Sequence, residues 1–290
     1  MVGSVMTRCG TVVFAGRPNV GKSTLLNALL GEHLAIVSPK PQSTRVPVVG
    51  LLTQGEWQFM FADSPGLLEP AGALDEAMRA AALGAIAGAD VVAYLHPLPD
   101  FPAPPFEVVA GLKRPPRAPL VTVYTQADRV SPAERAPERL APAVAVSARS
   151  GDGLEGLVAH LASFLPEGPF HYPPDALATQ PMRFFAAEFV REAAFELLHE
   201  ELPYSVAVEI DEFREAQRPV YIRALVCVER ESQKGIVIGE GGRTIKALGT
   251  LARGKIETLL GDPVFLDLHV KVLPRWQGHK PSLKRLGYAR

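Results

Sequence analysis

Residues 16–23 read GRPNVGKS and follow the apolar run TVVFA at 11–15. A strand ending at Gly16 and a helix starting near Lys22 would aim backbone N–H groups at one point, where the helix N-terminus also favours an anion. The pattern G-x-x-x-x-G-K-S is a phosphate-cradling loop. Gly16, Arg17, Pro18, Asn19, Val20 and Gly21 shape the cradle. Lys22 offers a point charge to β- and γ-phosphates, the Ser23 hydroxyl can ligand Mg2+, and Thr24 continues the loop into the helix. The bland alternative is a chance match in a tight strand-to-helix turn. Four fixed positions in the right context leave it little room.

Outward from this loop, the first half of the chain alternates short apolar runs with helix-like segments. The runs are TVVFA (11–15), PVVGLLT (47–53), WQFMFAD (57–63), DVVAYL (90–95), PLVTVY (119–124) and AVAVSA (143–148). Between them, KSTLLNALLG, LDEAMRAAALGAIAG and LEGLVAHLASFL carry apolar residues at helical spacing. Such alternation predicts a six-stranded, mostly parallel sheet wrapped by helices, an α/β fold with its ligands at the carboxyl ends of the strands. The proline-rich stretch 97–119 reads as a surface loop around one poor helix.

The strand ends then become the informative positions. Asp63 closes QFMFAD and is placed to hold Mg2+ through water, and Gly66 of DSPG can give a backbone N–H to a γ-phosphate. In SPKPQSTR (38–45), Thr44 can close over the metal, with Ser43 as a competing choice. Asp128 ends VYTQAD, where a carboxylate would accept from N1–H and the exocyclic amine of guanine; adenine lacks that donor pair. Ser147 and Ala148 follow the last strand, and the Ala148 N–H can meet the guanine oxygen. Leu67 stands where Ras-like proteins carry a water-positioning Gln, so slow hydrolysis is expected. Catalysis would then rest on Lys22, Thr44, Gly66 and Asn19.

In this order the motifs resemble the translation-factor-related GTPases over roughly residues 8–165. The resemblance implies GTP/GDP and Mg2+ as ligands, and K+ held beside the phosphates by Asn19. The alternative role for Asn19 is to shape the turn. One departure concerns the base: the family usually has N-K-x-D, and here Thr125-Gln126-Ala127-Asp128 stands in its place. A shorter hydroxyl replaces the Asn that ties neighbouring loops together, and Gln126 replaces the Lys whose stem covers the base. Weaker or less selective guanine binding is expected.

Composition suits a globular protein, with 47% hydrophobic and 21% charged residues. Two distant cysteines, Cys9 and Cys227, give neither a metal pattern nor a disulfide framework, which points to a reducing cytoplasm. No membrane span or signal peptide is apparent. The net charge of -1 is unevenly spread: residues 234–290 hold 11 Lys/Arg against 4 Asp/Glu, whereas 171–233 hold 6 against 12. A basic segment on a neutral chain suggests a local polyanion contact or, equally, a solvated charged face.

The stretch PEGPFHYPPDA (166–176) holds four prolines and reads as a linker. Expected boundaries are a nucleotide-binding domain at 1–167, a linker at 168–180 and a second domain at 181–290 with a basic tail. The second domain reads α-β-β-α-α-β. Between its two middle helices lies GIVIGEGGRTIKALG (235–249), where Gly239, Glu240, Gly241 and Gly242 form a G-x-x-G. The tetrad alone is weak, because GLEG at 153–156 also matches and reads as a helix start. In its context the later one resembles a type II KH domain. That likeness implies that Ile236 and Ile238 line an apolar groove for bases while Lys234, Arg243 and Lys246 meet phosphates. Glu240 is an awkward negative charge in such a loop. A helix-turn-helix with glycines for close packing is the alternative.

Together the two domains and the ending RWQGHKPSLKRLGY resemble the Era GTPases across nearly the whole chain. The resemblance implies binding of the 3′ end of 16S rRNA, small-subunit assembly gated by GTP, peripheral contact with the inner membrane and a monomeric state. Two readings compete with it: an RNA-binding module with a weak nucleotide site, and a metabolic phosphotransferase, for which no second acceptor site stands out.

Overall fold

The computed structural model describes residues 6–289. Residues 1–5, at the start of the expected first domain, and Arg290, at the end of the expected tail, lie outside the described residues. The chain divides into two compact units. One holds residues up to 35, 44–70 and 78–179; the other holds 36–43, 71–77 and the residues from 180 onward.

In the first unit the elements run β1 (Arg8–Ala15), α1 (Lys22–Leu30), β2 (Val48–Gln54), β3 (Trp57–Asp63), α2 (Ala73–Ala87), β4 (Val91–Pro97), α3 (Phe106–Ala110), β5 (Leu120–Thr125), α4 (Pro137–Leu140), β6 (Val144–Ala145) and α5 (Leu154–Ala162). The sheet order is β2-β3-β1-β4-β5-β6. Only β2 runs antiparallel to its neighbour; the other pairs are parallel. This is the expected α/β fold. Central β1 explains its own continuous apolar run: Val12, Val13, Phe14 and Ala15 are all 0% exposed, because both sheet faces are covered. On one face Val13 and Ala15 pack with Ala62, Ala82 and Ile86. Elsewhere in this core Phe61 stacks with Phe14 at 5.3 Å and with Phe59 at 4.9 Å.

Two features differ from the periodicity. The run AVAVSA yields a two-residue strand, because β6 lies at the sheet edge and the chain turns away at Ser147. The segment 171–179 lies along the sheet. Leu51 N donates to Leu177 O at 2.9 Å and Thr179 N to Val49 O at 3.2 Å. The Gln58 side chain accepts from His171 N (2.8 Å) and Tyr172 N (3.0 Å) and donates to Tyr172 O (2.8 Å).

The second unit runs α6 (Met182–Leu197), α7 (Leu202–Ser205), β7 (Ala207–Arg214), β8 (Val220–Val228), α8 (Glu231–Ile238), α9 (Arg243–Leu260), β9 (Val264–Val272) and α10 (Lys280–Arg285). The sheet is β7-β8-β9, antiparallel then parallel. Alternate residues of β8, from Val220 to Val228, face the helices and are fully buried. Leu248, Ala252 and Ile256 at i, i+4 and i+8 form the buried stripe of α9. The basic C-terminal stretch is folded: Trp276 is fully buried, its indole N–H donates to Ser205 O at 2.9 Å, and Leu283 and Tyr288 are buried beside it. No described helix is long and apolar enough to cross a membrane.

Candidate functional site

The end of β1 delivers Gly16, and α1 begins at Lys22 after Gly21, which is left-handed (φ 97°) and provides no side-chain cap. The first-turn amides of α1 thus face the loop with no capping side chain. Asn19 also sits in the left-handed region (φ 61°), which Asn tolerates better than most residues. That observation fits the turn-shaping role. Gly66 approaches the loop so closely that a Cβ there would lie 2.7 Å from Pro18 Cγ and 2.8 Å from Pro18 N. Any larger residue would displace the cradle.

Lys22 is buried. Its Nζ donates to Arg17 O at 2.9 Å and to Gly16 O at 3.4 Å. Burial pulls its pKa down to about 8, while the nearby Asp63 carboxylate pulls it back up. An ammonium that gives two of its three donors to backbone carbonyls has one left for an anion.

Beside it, three oxygens converge. Asp63 Oδ2 accepts from Ser23 Oγ at 2.7 Å and from Thr44 Oγ1 at 3.0 Å, and the two hydroxyls are 3.2 Å apart. Asp63 Oδ1 is buried with no hydrogen-bond partner. Burial raises the Asp63 pKa, against the lowering effects of Lys22, Ser23 and Thr44. Such a set of hard oxygens, with one buried carboxylate oxygen still open, fits Mg2+. Of the two competing switch residues, Thr44 is the one whose hydroxyl reaches this corner. The Ser43 carbonyl instead accepts from Arg191 Nη2.

The base corner is built from the ends of β5 and β6. Ser147 Oγ donates to Asp128 Oδ1 at 2.7 Å, and this bond holds the exposed Asp128 carboxyl below its usual range. The carboxylate is therefore ionised at neutral pH and aimed. Thr125 is buried, and its hydroxyl donates to Val20 O in the phosphate loop at 2.6 Å. The shorter side chain thus makes a direct tie between base strand and phosphate loop. Gln126 is left-handed (φ 59°) and its side-chain oxygen accepts from Arg129. Ala148 is half-buried next to Ser147. Leu67 is buried in the core with Val13, Ala15 and Ile86, so no side chain at that position can orient a water.

The G-x-x-G of the second unit is an open turn. Gln233 Oε1 accepts from Glu229 N (2.9 Å) and Arg230 N (3.0 Å) and secures the start of α8. Gly239 (φ 72°) leaves no room for a side chain, because a Cβ would lie 2.2 Å from Thr244 Oγ1 and 2.9 Å from Thr244 N. Of the three consecutive apolar residues, Val237 turns inward and is fully buried, Ile236 is 59% exposed and Ile238 is half-buried. Lys246 and Arg243 are exposed and Lys234 is half-buried. The awkward Glu240 pairs with Arg243, Oε2 to Nη2, at 2.7 Å.

The bonds of Arg191 to Ser43 O and of Lys40 to Leu198 O are not legible in the sequence. Arg191 sits in α6 among apolar residues, and helical periodicity alone gives no sign of its partner. Lys40 lies in a stretch read only as polar.

Residues 11–125 match the 50S ribosome-binding GTPase family and residues 201–277 the KH domain family. The chain is 42% identical to GTPase Era of a Nocardioides species over 97% of this chain and 96% of that one. It is also 42% identical to GTPase Era of Geotalea uraniireducens, over 97% and 98%. Two crystal structures superpose with TM-scores of 0.90 at 36% identity, covering 98% of this chain and all of theirs: a variant of Aquifex aeolicus Era bound to GDP·AlF4−, and Era in complex with MgGDPNP and nucleotides 1506–1542 of 16S ribosomal RNA. With the two GTPase Era relatives matched at 42% identity over nearly their whole length, and with the GTPase and KH families matched in order along it, the chain belongs to the Era family of GTPases.

Proposed function

We propose that this protein is a GTP switch that binds and slowly hydrolyses GTP and grips the 3′ region of 16S rRNA during small-subunit assembly. The observation that carries this reading is the convergence of Lys22, Ser23, Thr44 and Asp63 at the carboxyl ends of β1 and β3, with Asp128 oriented by Ser147 at the same edge of the sheet. The relatives held with MgGDPNP, GDP·AlF4− and 16S rRNA nucleotides support it.

Ser23 and Thr44 would hold Mg2+, with Asp63 reaching it through water. Mg2+ when bound supplies positive charge on the β,γ-phosphate oxygens. Lys22 meets the same oxygens, and the α1 amides and the Gly66 N–H surround the γ-phosphate. Hydrolysis breaks the bond between the γ-phosphorus and the β,γ-bridging oxygen as water adds, which gives GDP and phosphate. The protein's part is positioning and charge. With Leu67 in the core, the attacking water lacks a side-chain orienter, and slow turnover follows. Asn19, beside the phosphates, would hold K+ as a further source of charge. At the other end, Asp128 reads guanine, Thr125 and Gln126 flank the base, and the Ala148 amide, next to Ser147, meets its oxygen.

In the second unit, the G-x-x-G turn would let an RNA backbone approach, with Ile236 and Ile238 against bases and Lys234, Arg243 and Lys246 against phosphates. The two thiols are free and buried, which suits the reducing cytoplasm.

The test is titration of a fluorescent GTP analogue with Mg2+, with GDP and ATP as competitors, in the natural chain and in Asp128→Asn. Guanine preference should appear in the first and fall about thirtyfold in the second, the effect of breaking a two-bond charged contact. Equal affinity for ATP and GTP in the natural chain would leave only the RNA-binding half of the proposal.

A further inference from the structure

The segment after Asp63 carries Gly66, whose N–H faces the γ-phosphate in the function proposed above, and it is tied at three points. The Ser64 hydroxyl is fully buried and donates to Phe14 O at 2.7 Å. Leu67 N donates to Gly16 O at 2.9 Å. Arg79 of α2 donates through Nη1 to Leu68 O at 3.0 Å. The first two ties bind the segment to β1 and the phosphate loop. The third binds it to the helix that follows. Beyond Leu68 the chain runs out through the exposed Glu69 and Pro70.

Arg79 stands out by its choice of partners. Its Nη2 donates to Ala110 O at 2.8 Å, the carbonyl at the end of α3. A carbonyl there has no partner within its own helix. Among the described residues no carboxylate pairs with Arg79, so one cation serves two neutral carbonyls from distant parts of the chain. A planar fork with donors at fixed spacing suits that task, whereas a lysine offers a single point of charge. Gly111 makes the seat: it is left-handed (φ 63°), and a Cβ there would lie 2.5 Å from Arg79 Nη2. The Leu67 side chain is buried in the same cluster as Phe106 and Ala110. Both the backbone and the side chain of this segment are therefore referred to α3.

We infer that Arg79 is a positioning residue for Gly66: by holding the carbonyl two residues further on, it keeps the glycine N–H aimed at the γ-phosphate. Glycine has the greatest backbone freedom of any residue, so its direction must be set by the ties on either side of it. The Ser64 tie precedes Gly66, and the Leu67 and Leu68 ties follow it. The inference rests on the GTPase function proposed above. Gly66 meets only the γ-phosphate. When the Leu68 tie is lost, GTP must select the aimed arrangement from a looser set, and its apparent affinity falls by the fraction that is aimed. GDP makes no contact with Gly66 and should not register the change.

The test uses the full chain and measures affinity for a Mg2+·GTP analogue and for GDP in the natural protein, Arg79→Met, Arg79→Lys, Gly111→Ala, Gly66→Ala and the double variant Arg79→Met/Gly66→Ala. Arg79→Met should weaken the GTP analogue about tenfold relative to GDP, the size of losing one charged hydrogen bond. Arg79→Lys keeps the charge but serves one carbonyl at a time, so its loss should be about threefold. Gly111→Ala crowds the guanidinium and should shift the ratio in the same direction. In the Gly66→Ala background, where the added Cβ would press on Pro18, the Arg79 effect on the ratio should vanish. An arginine that served stability alone would lower the unfolding temperature and leave the ratio unchanged. Should Arg79→Met fail to fold, Arg79→Lys and Gly111→Ala decide by the same ratio. An unchanged ratio, equal weakening of both nucleotides, or an Arg79 effect undiminished by Gly66→Ala would overturn the inference. A Gly66→Ala chain with an unchanged ratio would overturn the placement of Gly66 at the γ-phosphate and the inference with it. A natural chain without guanine preference would fail the proposed function on its own account.

Discussion

The phosphate corner and the G-x-x-G turn are both anion sites in prospect, yet they are built on opposite principles. At the first, Lys22, Asp63 and Thr44 are buried; the oxygens of Ser23, Thr44 and Asp63 lie 2.7–3.2 Å from one another, and the Lys22 ammonium is held over backbone carbonyls where water screens it poorly. At the second, Glu240 and Arg243 are 89% and 78% exposed, and Ile236 faces solvent. A buried charge is worth much and tolerates little change. An exposed charge is worth little alone and adds to its neighbours. The first arrangement therefore suits one small ligand chosen by geometry. The second suits many weak contacts along a polymer.

The sharpest way to break this contrast is Lys22→Met. The substitution conserves the stem and removes the one buried cation at the loop, so GTP and GDP affinity should both fall at least about a hundredfold in the same titration. A loss under about threefold, the size expected of an exposed charge, would place the phosphate corner in the same class as the G-x-x-G turn.

The next effect is on pH dependence. Free Lys22 titrates at about 8, and bound phosphates would hold its proton more tightly. Below that pH the ammonium is already present and affinity is flat. Above it, binding must take up a proton, so affinity should fall by about tenfold per pH unit. The Lys22→Met variant should show no such slope. RNA binding at the exposed turn should show none between pH 7 and 9 attributable to this group. A flat profile in the natural chain would mean that the buried lysine is not the phosphate contact.

Most of this contrast was legible in the residues. The strand-helix alternation gives the sheet because central strands buried on both faces must be continuously apolar, as β1 is. The loop, Asp63 and Asp128 are legible because motif spacing places each at or just after a strand end, and Thr44 because it lies in the polar stretch between α1 and β2. What escaped was set by tertiary contacts. Nothing in PKPQST marks residues 36–43 as bound to α6, because their partners lie in a segment some 150 positions away. The Thr125 tie to Val20 O was hidden for a similar reason: pattern comparison counts a missing Asn, while the fold brings the loop within reach of a hydroxyl. The short α10 was hidden by its own charge. A run of lysines and arginines reads as a tail unless Trp276, Leu283 and Tyr288 are recognised as its buried face.

At the exposed turn effects should be smaller and should depend on salt. Arg243→Gln removes one phosphate contact, so affinity for a single-stranded RNA from the 3′ end of 16S rRNA should drop about threefold at physiological salt. The slope of log affinity against log salt should also become shallower by about one. An unchanged slope would remove Arg243 from the interface.

The smallest change is also the most diagnostic. Glu240 and Arg243 form an i,i+3 pair at 2.7 Å, and in the free protein the carboxylate occupies part of the guanidinium's donor fork. To meet a phosphate, Arg243 must share that fork, and the phosphate must tolerate a nearby like charge. Glu240→Gln removes the repulsion and loosens the pair, which in solvent is worth only a few tenths of a kcal/mol. RNA affinity should therefore rise, by about twofold at low salt and less as salt screens the charge. The direction matters more than the size. A rise means that Glu240 moderates the grip of a working RNA loop, which keeps release within reach of the GTP cycle. A fall would mean that the carboxylate holds Arg243 in the orientation that RNA needs, and the exposed turn would then share the preorganised character of the buried phosphate corner.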